Sequence, residues 1–133
     1  MLNLEQNKIL LSRFRLSEML GQGGMGQVWR VWDHEHEIHI AAKILDPQLM
    51  SDPHRVQLLK NECRNTRRLT HPNIVRVFDF HRSEDLAFIS MEYVDGQNLN
   101  DYRRQKEPFR YMKLHSFATG DLILIPLRSI HLL

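Results

Sequence analysis

Hydrophobic and polar residues alternate with a period of two along five stretches of the chain, and one longer stretch between them repeats at the helical spacing. Phe14 to Leu20 predicts a first strand, with Phe14, Leu16 and the aliphatic stem of Glu18 on its inward face and Arg15 and Ser17 on the other. Gln27 to Trp32, rich in β-branched and aromatic residues, predicts a second strand in which Trp29 and Val31 share one face and Val28 and Arg30 the other. In the third, Ile38 to Leu45, the residues Ile38, Ile40, Ala42 and Ile44 face one way and His39, Ala41 and Lys43 the other. Ile74 to Phe80 and Leu86 to Val94 read as a fourth and a fifth strand, joined by a turn from His81 to Asp85.

The helical stretch begins where Ser51-Asp52-Pro53 supplies capping side chains and a proline at the first helical position, so a helix is predicted from about Pro53 to Leu69. With residues about 100° apart, Leu58, Leu59, Glu62, Thr66 and Leu69 form one stripe roughly 100° wide, Glu62 near its middle. A carboxylate on a packing face requires a partner, because an unpaired buried charge neutralises or destabilises the fold. Lys43 is the natural candidate; the alternative is a glutamate whose stem packs while its head reaches water. Lys60, Arg64, Arg67 and Arg68 fall on the opposite side and read as a solvated face. Thr70-His71-Pro72-Asn73 ends the helix, Asp95-Gly96 marks a turn, and Leu99 to Gln105 is expected to begin a short helix.

Between the first two strands, Leu20-Gly21-Gln22-Gly23-Gly24-Met25-Gly26-Gln27-Val28 places four glycines in six positions. Without Cβ atoms such a loop can bring backbone N–H groups against phosphate oxygens. The spacing is G-x-G-x-x-G-x-V. A dinucleotide fold would open a helix at the third glycine, whereas here a strand follows, so the loop caps a hairpin. No Lys follows Gly26, which excludes the G-x-x-x-x-G-K-[ST] loop. Taken alone, the loop leaves two readings open, a phosphate cover and a glycine-rich turn.

Composition narrows the partners. A 133-residue chain with 42% hydrophobic residues has room for one modest core, and a net charge of +2 with 26% charged residues points to neither nucleic acid nor membrane as a partner. The single cysteine, Cys63, has no internal disulfide partner and fits a reducing compartment. The N-terminus shows no signal-peptide pattern, and the apolar run from Leu122 to Leu133 is short and broken by Pro126, Arg128 and His131, so a cytoplasmic location is expected. His34 and His36 do not meet the H-E-x-x-H spacing of a helical metal site and read as part of a polar turn.

Read in order, the glycine loop, Ile40-Ala41-Ala42-Lys43, the helix Glu62, His71-Pro72-Asn73-Ile74-Val75 and Met91-Glu92-Tyr93-Val94 resemble the N-terminal lobe of a eukaryotic-type Ser/Thr protein kinase, most like those of bacteria. The likeness covers about Phe14 to Tyr102. It implies an α+β fold, a five-stranded antiparallel sheet with one main helix, followed by an incomplete C-lobe. Residues 1–13 would be an N-terminal extension, 14–98 the ATP-binding lobe, and 99–133 the start of a C-lobe with a divergent tail. ATP is the implied cofactor, contacted along Leu20, Gly21, Gln22, Gly23, Gly24, Met25, Gly26, Gln27 and Val28. The backbone from Gly21 to Gly26 would cover the phosphates, and Lys43 would hold the α and β phosphates while pairing with Glu62. Val28 and Ala41 would sandwich adenine, Met91 would guard the back of the pocket, and the backbones of Glu92 and Val94 would form the hinge.

The chain also departs from the family pattern. Thr66 replaces the larger apolar residue usual one turn after the helix glutamate. No H-R-D-x-x-x-x-N and no A-P-E occur, and Asp79-Phe80-His81 lies before the hinge, where D-F-G does not belong. Tyr111 to Thr119 resembles the start of the long C-lobe helix, and Asp121 to Leu133 matches nothing in the family. The expectation is therefore an ATP-binding lobe in which Mg²⁺ would come with the nucleotide and phosphoryl transfer is incomplete. The alternatives are an interaction module presenting its exposed surface to a protein partner, and a degenerate, truncated gene product.

Overall fold

A computed structural model describes residues 3–24, 26–72, 74–98 and 123–124. In chain order the elements are β1 (Ile9–Leu10), β2 (Phe14–Gly23), β3 (Gly26–Asp33), β4 (Ile38–Leu45), α1 (Pro47–Met50), α2 (Pro53–Arg67), β5 (Val77–Arg82), β6 (Ala87–Glu92), β7 (Gln97–Asn98) and β8 (Ile123–Leu124). They fall into two units. The first, Met1–Leu69 with Arg76–Tyr93, holds β1 to β6 and both helices; in the second, Thr70–Val75 with Val94–Leu133, β7 pairs antiparallel with β8. Among the described residues no helix is long and apolar enough to cross a membrane.

The main sheet is antiparallel throughout, in the order β1-β2-β3-β4-β6-β5. Its alternating residues put Phe14, Leu16, Trp29, Val31, Ile40, Ala42, Ile44 and Phe88 into one buried cluster. The sheet curls enough for the Phe14 ring to meet Phe88 edge to face at 5.3 Å and His81 at 5.0 Å, joining β2 to strands at the far end. Five strands are expected from the sequence, and the sheet has six. Ile9–Leu10 pairs with β2, and Leu10 reaches the core, so part of the segment before Phe14 belongs to the sheet.

Two further expectations are corrected. Leu16 pairs with Val31 but Glu18 pairs with Arg30, so one extra residue bulges from β2 and reverses its parity. Glu18 is therefore exposed, with its Oε2 3.8 Å from Nη1 of Arg30, and does not continue the inward face of Phe14 and Leu16. In α2, capped by Asp52 accepting from the amides of His54 and Arg55, the buried residues among those described are Val56, Leu59 and Cys63. Leu58 and Leu69 are 55% and 53% exposed. The sequence holds two competing apolar stripes, and packing against β5 selects the one spaced i, i+3, i+7. The helix also ends at Arg67, which leaves Leu69 outside it. The side chain of Glu62, and the short helix expected from Leu99 to Gln105, lie outside the described residues.

At the end of the sheet opposite the glycine hairpin, Asp33 ties three segments together. Arg13 donates to both of its oxygens at 2.7 Å, the Glu35 amide donates at 3.0 Å, and His36 Nδ1 lies 2.9 Å away. Arg13 also pairs with Glu35 at 2.7 Å. The Arg13 hydrogen bonds hold the Asp33 carboxyl well below the usual carboxylate range, against the opposing effect of its burial. Burial likewise pushes the His81 imidazole below its ordinary value, so the folded chain takes up that proton less readily than the unfolded one.

These two shifts act in separate pH windows. A depressed carboxylate stabilises the fold above its unfolded pKa of about 3.9, and that contribution fades as pH falls toward the folded value. A depressed imidazole costs stability as pH falls through about 6.5. Asp33→Asn is expected to lower stability at pH 7 by about 2 kcal/mol, less than a fully buried pair because Arg13 remains 29% exposed. In urea titrations run across pH, the variant should lose the wild-type decline below about pH 4 and keep the one near pH 6.5.

Candidate functional site

The glycine hairpin is built by a second irregularity in β2. Met19 pairs with Trp29 and Gly21 with Val28, so Leu20 bulges at the mouth of the hairpin. Gln22 then pairs with Gln27 and Gly23 with Gly26, and the strands run on to the tip. The glycines are not equivalent. At Gly26 φ is +142°, and a Cβ there would lie 1.9 Å from the carbonyl oxygen of Ile44, so the close pairing of β3 with β4 at this point requires glycine. A Cβ at Gly21, Gly23 or Gly24 would meet nothing within 4 Å.

The register of the central strands gathers the other candidates. Val28 is opposite Lys43, Arg30 opposite Ala41, Ala41 opposite Met91, and Lys43 opposite Ile89. Directly paired residues project to the same side of a sheet, so Val28, Ala41, Lys43 and Met91 share the face opposite the Phe14 and Phe88 core. Ala41, Met91 and Lys43 are buried, the lysine only 5% exposed, and Val28 is half-buried. Gln27 points the other way. Its side chain is buried on the core side, where Oε1 accepts from Trp29 Nε1 at 2.9 Å.

At the end of β6, Glu92 is pinned to the segment before β5. Its amide donates to the Arg76 carbonyl at 2.8 Å, and its carboxylate accepts from the Arg76 amide at 3.2 Å. Tyr93 carries the Arg30 guanidinium 5.7 Å from its ring. Val94 belongs to the second unit, and Met25 lies outside the described residues. A polar cavity of about 670 Å³ opens beside β2 and β3 between Asn7, Arg15, Glu18, Arg30 and His39, and neither the glycines nor Lys43 bound it. Sequence reasoning missed this cavity, because the Glu18 and Arg30 side chains meet only through the bulge in β2.

A curled antiparallel sheet with a glycine hairpin at one end, a buried lysine on the face opposite its aromatic core and one packed helix defines the N-terminal lobe of a protein kinase. The chain belongs to the protein kinase domain family, whose model matches residues 14–131. It is 36% identical over 102 residues to the serine/threonine-protein kinase pkn3 of Myxococcus xanthus, covering 76% of this chain and 19% of that protein. Over 96 residues it is 36% identical to the serine/threonine-protein kinase PknA of Mycobacterium tuberculosis, covering 68% of this chain and 22% of the relative. Serine/threonine-protein kinase PrkC of Bacillus subtilis is 32% identical over 95 residues, with 71% and 15% covered. The chain thus spans about a fifth of the length of these curated relatives. Among solved structures, the kinase domain of Mycobacterium tuberculosis PknI superposes with a TM-score of 0.68 at 26% identity, covering 81% of this chain and 43% of that one. The fold and the relatives make it a partial bacterial Ser/Thr protein kinase domain.

The glycines separate by test. Gly26→Ala should destabilise the fold by roughly 1–3 kcal/mol through backbone strain and overlap. Gly23→Ala, in open space, should stay within about 0.5 kcal/mol of wild type. Urea melts of the two variants measure the difference.

Proposed function

We propose that this chain binds ATP on the sheet face that carries Val28, Ala41, Lys43 and Met91, beneath the glycine hairpin. The observation that carries the reading is the unequal status of the glycines. Folding accounts for Gly26 but not for Gly21, Gly23 and Gly24, where a Cβ would stand in empty space. Missing side chains beside open space suit a surface over which phosphate oxygens lie close to backbone N–H groups. Family membership supports the same ligand.

In this reading the backbone from Gly21 to Gly26 covers the phosphates, with Leu20 and Gln27 flanking it. Lys43 binds the α and β phosphates and pairs with Glu62 of α2. Val28 and Ala41 enclose adenine, Met91 closes the back of the pocket, and the backbones of Glu92 and Val94 hold the edge of the base. Residues 14–98 form the binding part and 99–133 the start of the second lobe. Mg²⁺ would arrive on the nucleotide. Bound, the ion would offset phosphate charge. These 133 residues contain no H-R-D or D-F-G segment, so the activity proposed for this chain is binding without phosphoryl transfer.

Lys43→Met conserves volume and removes the charge, so the variant should fold. Its ATP affinity should fall by about 1.5 to 3 kcal/mol, the worth of a hydrogen bond to a charged group, or about ten- to hundredfold in Kd. Equal affinities by titration calorimetry would remove Lys43 from the phosphate site. Incubation of the purified chain with labelled ATP, Mg²⁺ and a generic protein substrate should give no Lys43-dependent phosphorylation.

A further inference from the structure

The sheet face opposite the Phe14 and Phe88 core continues past Ala41 into the polar cavity of about 670 Å³ beside β2 and β3. Strand register sets what meets there. Arg15 pairs with Trp32 and Trp32 with His39, while Glu18 pairs with Arg30 and Arg30 with Ala41, so these side chains all project to one side. Arg30 stands two residues from Trp32 along β3, which makes Arg15 of β2 and His39 of β4 its diagonal neighbours, roughly 7–8 Å away across the sheet. Two guanidiniums and an imidazole therefore line one cavity.

The fold leaves the donors of this cavity poorly matched. Arg15 forms no ion pair among the described residues, and its Nη1 donates to Asn7 Oδ1 at 3.4 Å, the long end of a hydrogen bond. Arg30 Nη1 lies 3.8 Å from Glu18 Oε2, a long ion pair to a carboxylate side chain that is 64% exposed. The Arg30 guanidinium carbon stands 5.7 Å from the Tyr93 ring. Its Nε is buried and has no hydrogen-bond partner among the described residues. A buried donor left unpaired costs free energy that folded chains avoid, so this atom marks a place where a further acceptor belongs.

From this we propose that the cavity spanning β2, β3 and β4 binds a small organic dianion, whose carboxylate or phosphoryl oxygens lie between the guanidiniums of Arg15 and Arg30. A guanidinium offers Nε and one Nη as parallel donors to two oxygens of one oxyanion, and at Arg30 the Nε edge is the one left unmet. The exposed Glu18 carboxylate yields its place beside Arg30 and turns to solvent. The volume falls within the roughly 300–1,000 Å³ of small-molecule clefts, and Gln6 and Ser17 add neutral hydrogen-bonding groups to the wall. Nucleic acid fits less well, because the cationic charge is confined to this cavity wall while the whole chain carries only +2. The proposal goes beyond nucleotide binding and does not rest on it, since the cavity is lined by none of the residues assigned to ATP.

The test titrates the full chain with succinate and with glycerol phosphate, using acetate as the singly charged comparator. Proton–nitrogen NMR spectra follow the arginine Nε–H signals, and the signal missing from Arg30→Gln is that of Arg30. One of the two dianions should bind and shift this signal, the tighter of them giving the class of oxyanion, and acetate should bind at least about tenfold more weakly. In titration calorimetry Arg30→Gln and Arg15→Gln should each weaken the dianion at least about tenfold while melting as wild type does. If Arg30→Gln unfolds the chain, Arg30→Lys, which keeps the charge and lacks the fork, should show the same loss. Lys43→Met should bind the dianion as wild type does. A loss in Lys43→Met with none in Arg15→Gln would put the anion on that lysine, overturning this proposal and leaving the ATP reading intact. The proposal also fails if neither dianion binds, or if both arginine variants bind it unchanged. Tighter binding of a single-stranded oligothymidylate through the same arginines would replace it with a general polyanion surface.

Discussion

β4 is paired on both edges, to β3 and to β6, and every residue from Ile40 to Leu45 is buried. Such a strand has no free face on which to tolerate a slip, because moving it by one residue would exchange all of its side chains between the two sides. On one side Ile40, Ala42 and Ile44 complete the core with Phe14, Val31 and Phe88. On the other, Ala41 and Lys43 take their places beside Met91 and Ile89. The hydrophobic energy that fixes the first set therefore positions the second, and the lysine is held by packing on the face it does not share.

Around that strand the sheet uses rigidity and irregularity at different ends. The Asp33 clasp, with Arg13, Glu35 and His36, anchors the start of β2 to the turn after β3 by charge-assisted hydrogen bonds. Toward the other end β2 bulges twice, after Leu16 and after Met19. Each bulge adds local twist and turns the strand, while Gly26 at the start of β3 pairs with Leu45 and lies against the Ile44 carbonyl of β4.

The helix shows how one packing choice assigns several roles. Burying Val56, Leu59 and Cys63 exposes Leu58 and Leu69 and brings Lys60, Arg64 and Arg67 to the edge of β5. Had Leu58 faced the sheet, the same lysine and arginines would have looked into solvent. The position of these cations is thus a product of the helix rotation together with the sequence.

Much of this molecule is legible in its sequence because the signals involved are local. Period-two alternation places Trp29 and Val31 against the core and separates Ala42 from Lys43, and Asp52-Pro53 marks the start of the helix. The order of the glycine loop, the lysine strand and the hinge segment points to the kinase family, which the family match bears out. Three features had to await the tertiary structure. The bulges that expose Glu18 and displace Leu20 arise from pairing with β3, and alternation counted along one strand does not register an inserted residue. Ile9–Leu10 is too short to announce itself, and becomes a strand because β2 offers it an open edge. The face of α2 is misread from the stripe of Leu58, Glu62 and Leu69 because the sequence also offers Val56, Leu59 and Cys63, and only the surface presented by β5 distinguishes between them. Local chemistry determined which elements form; long-range pairing decided which way their side chains point.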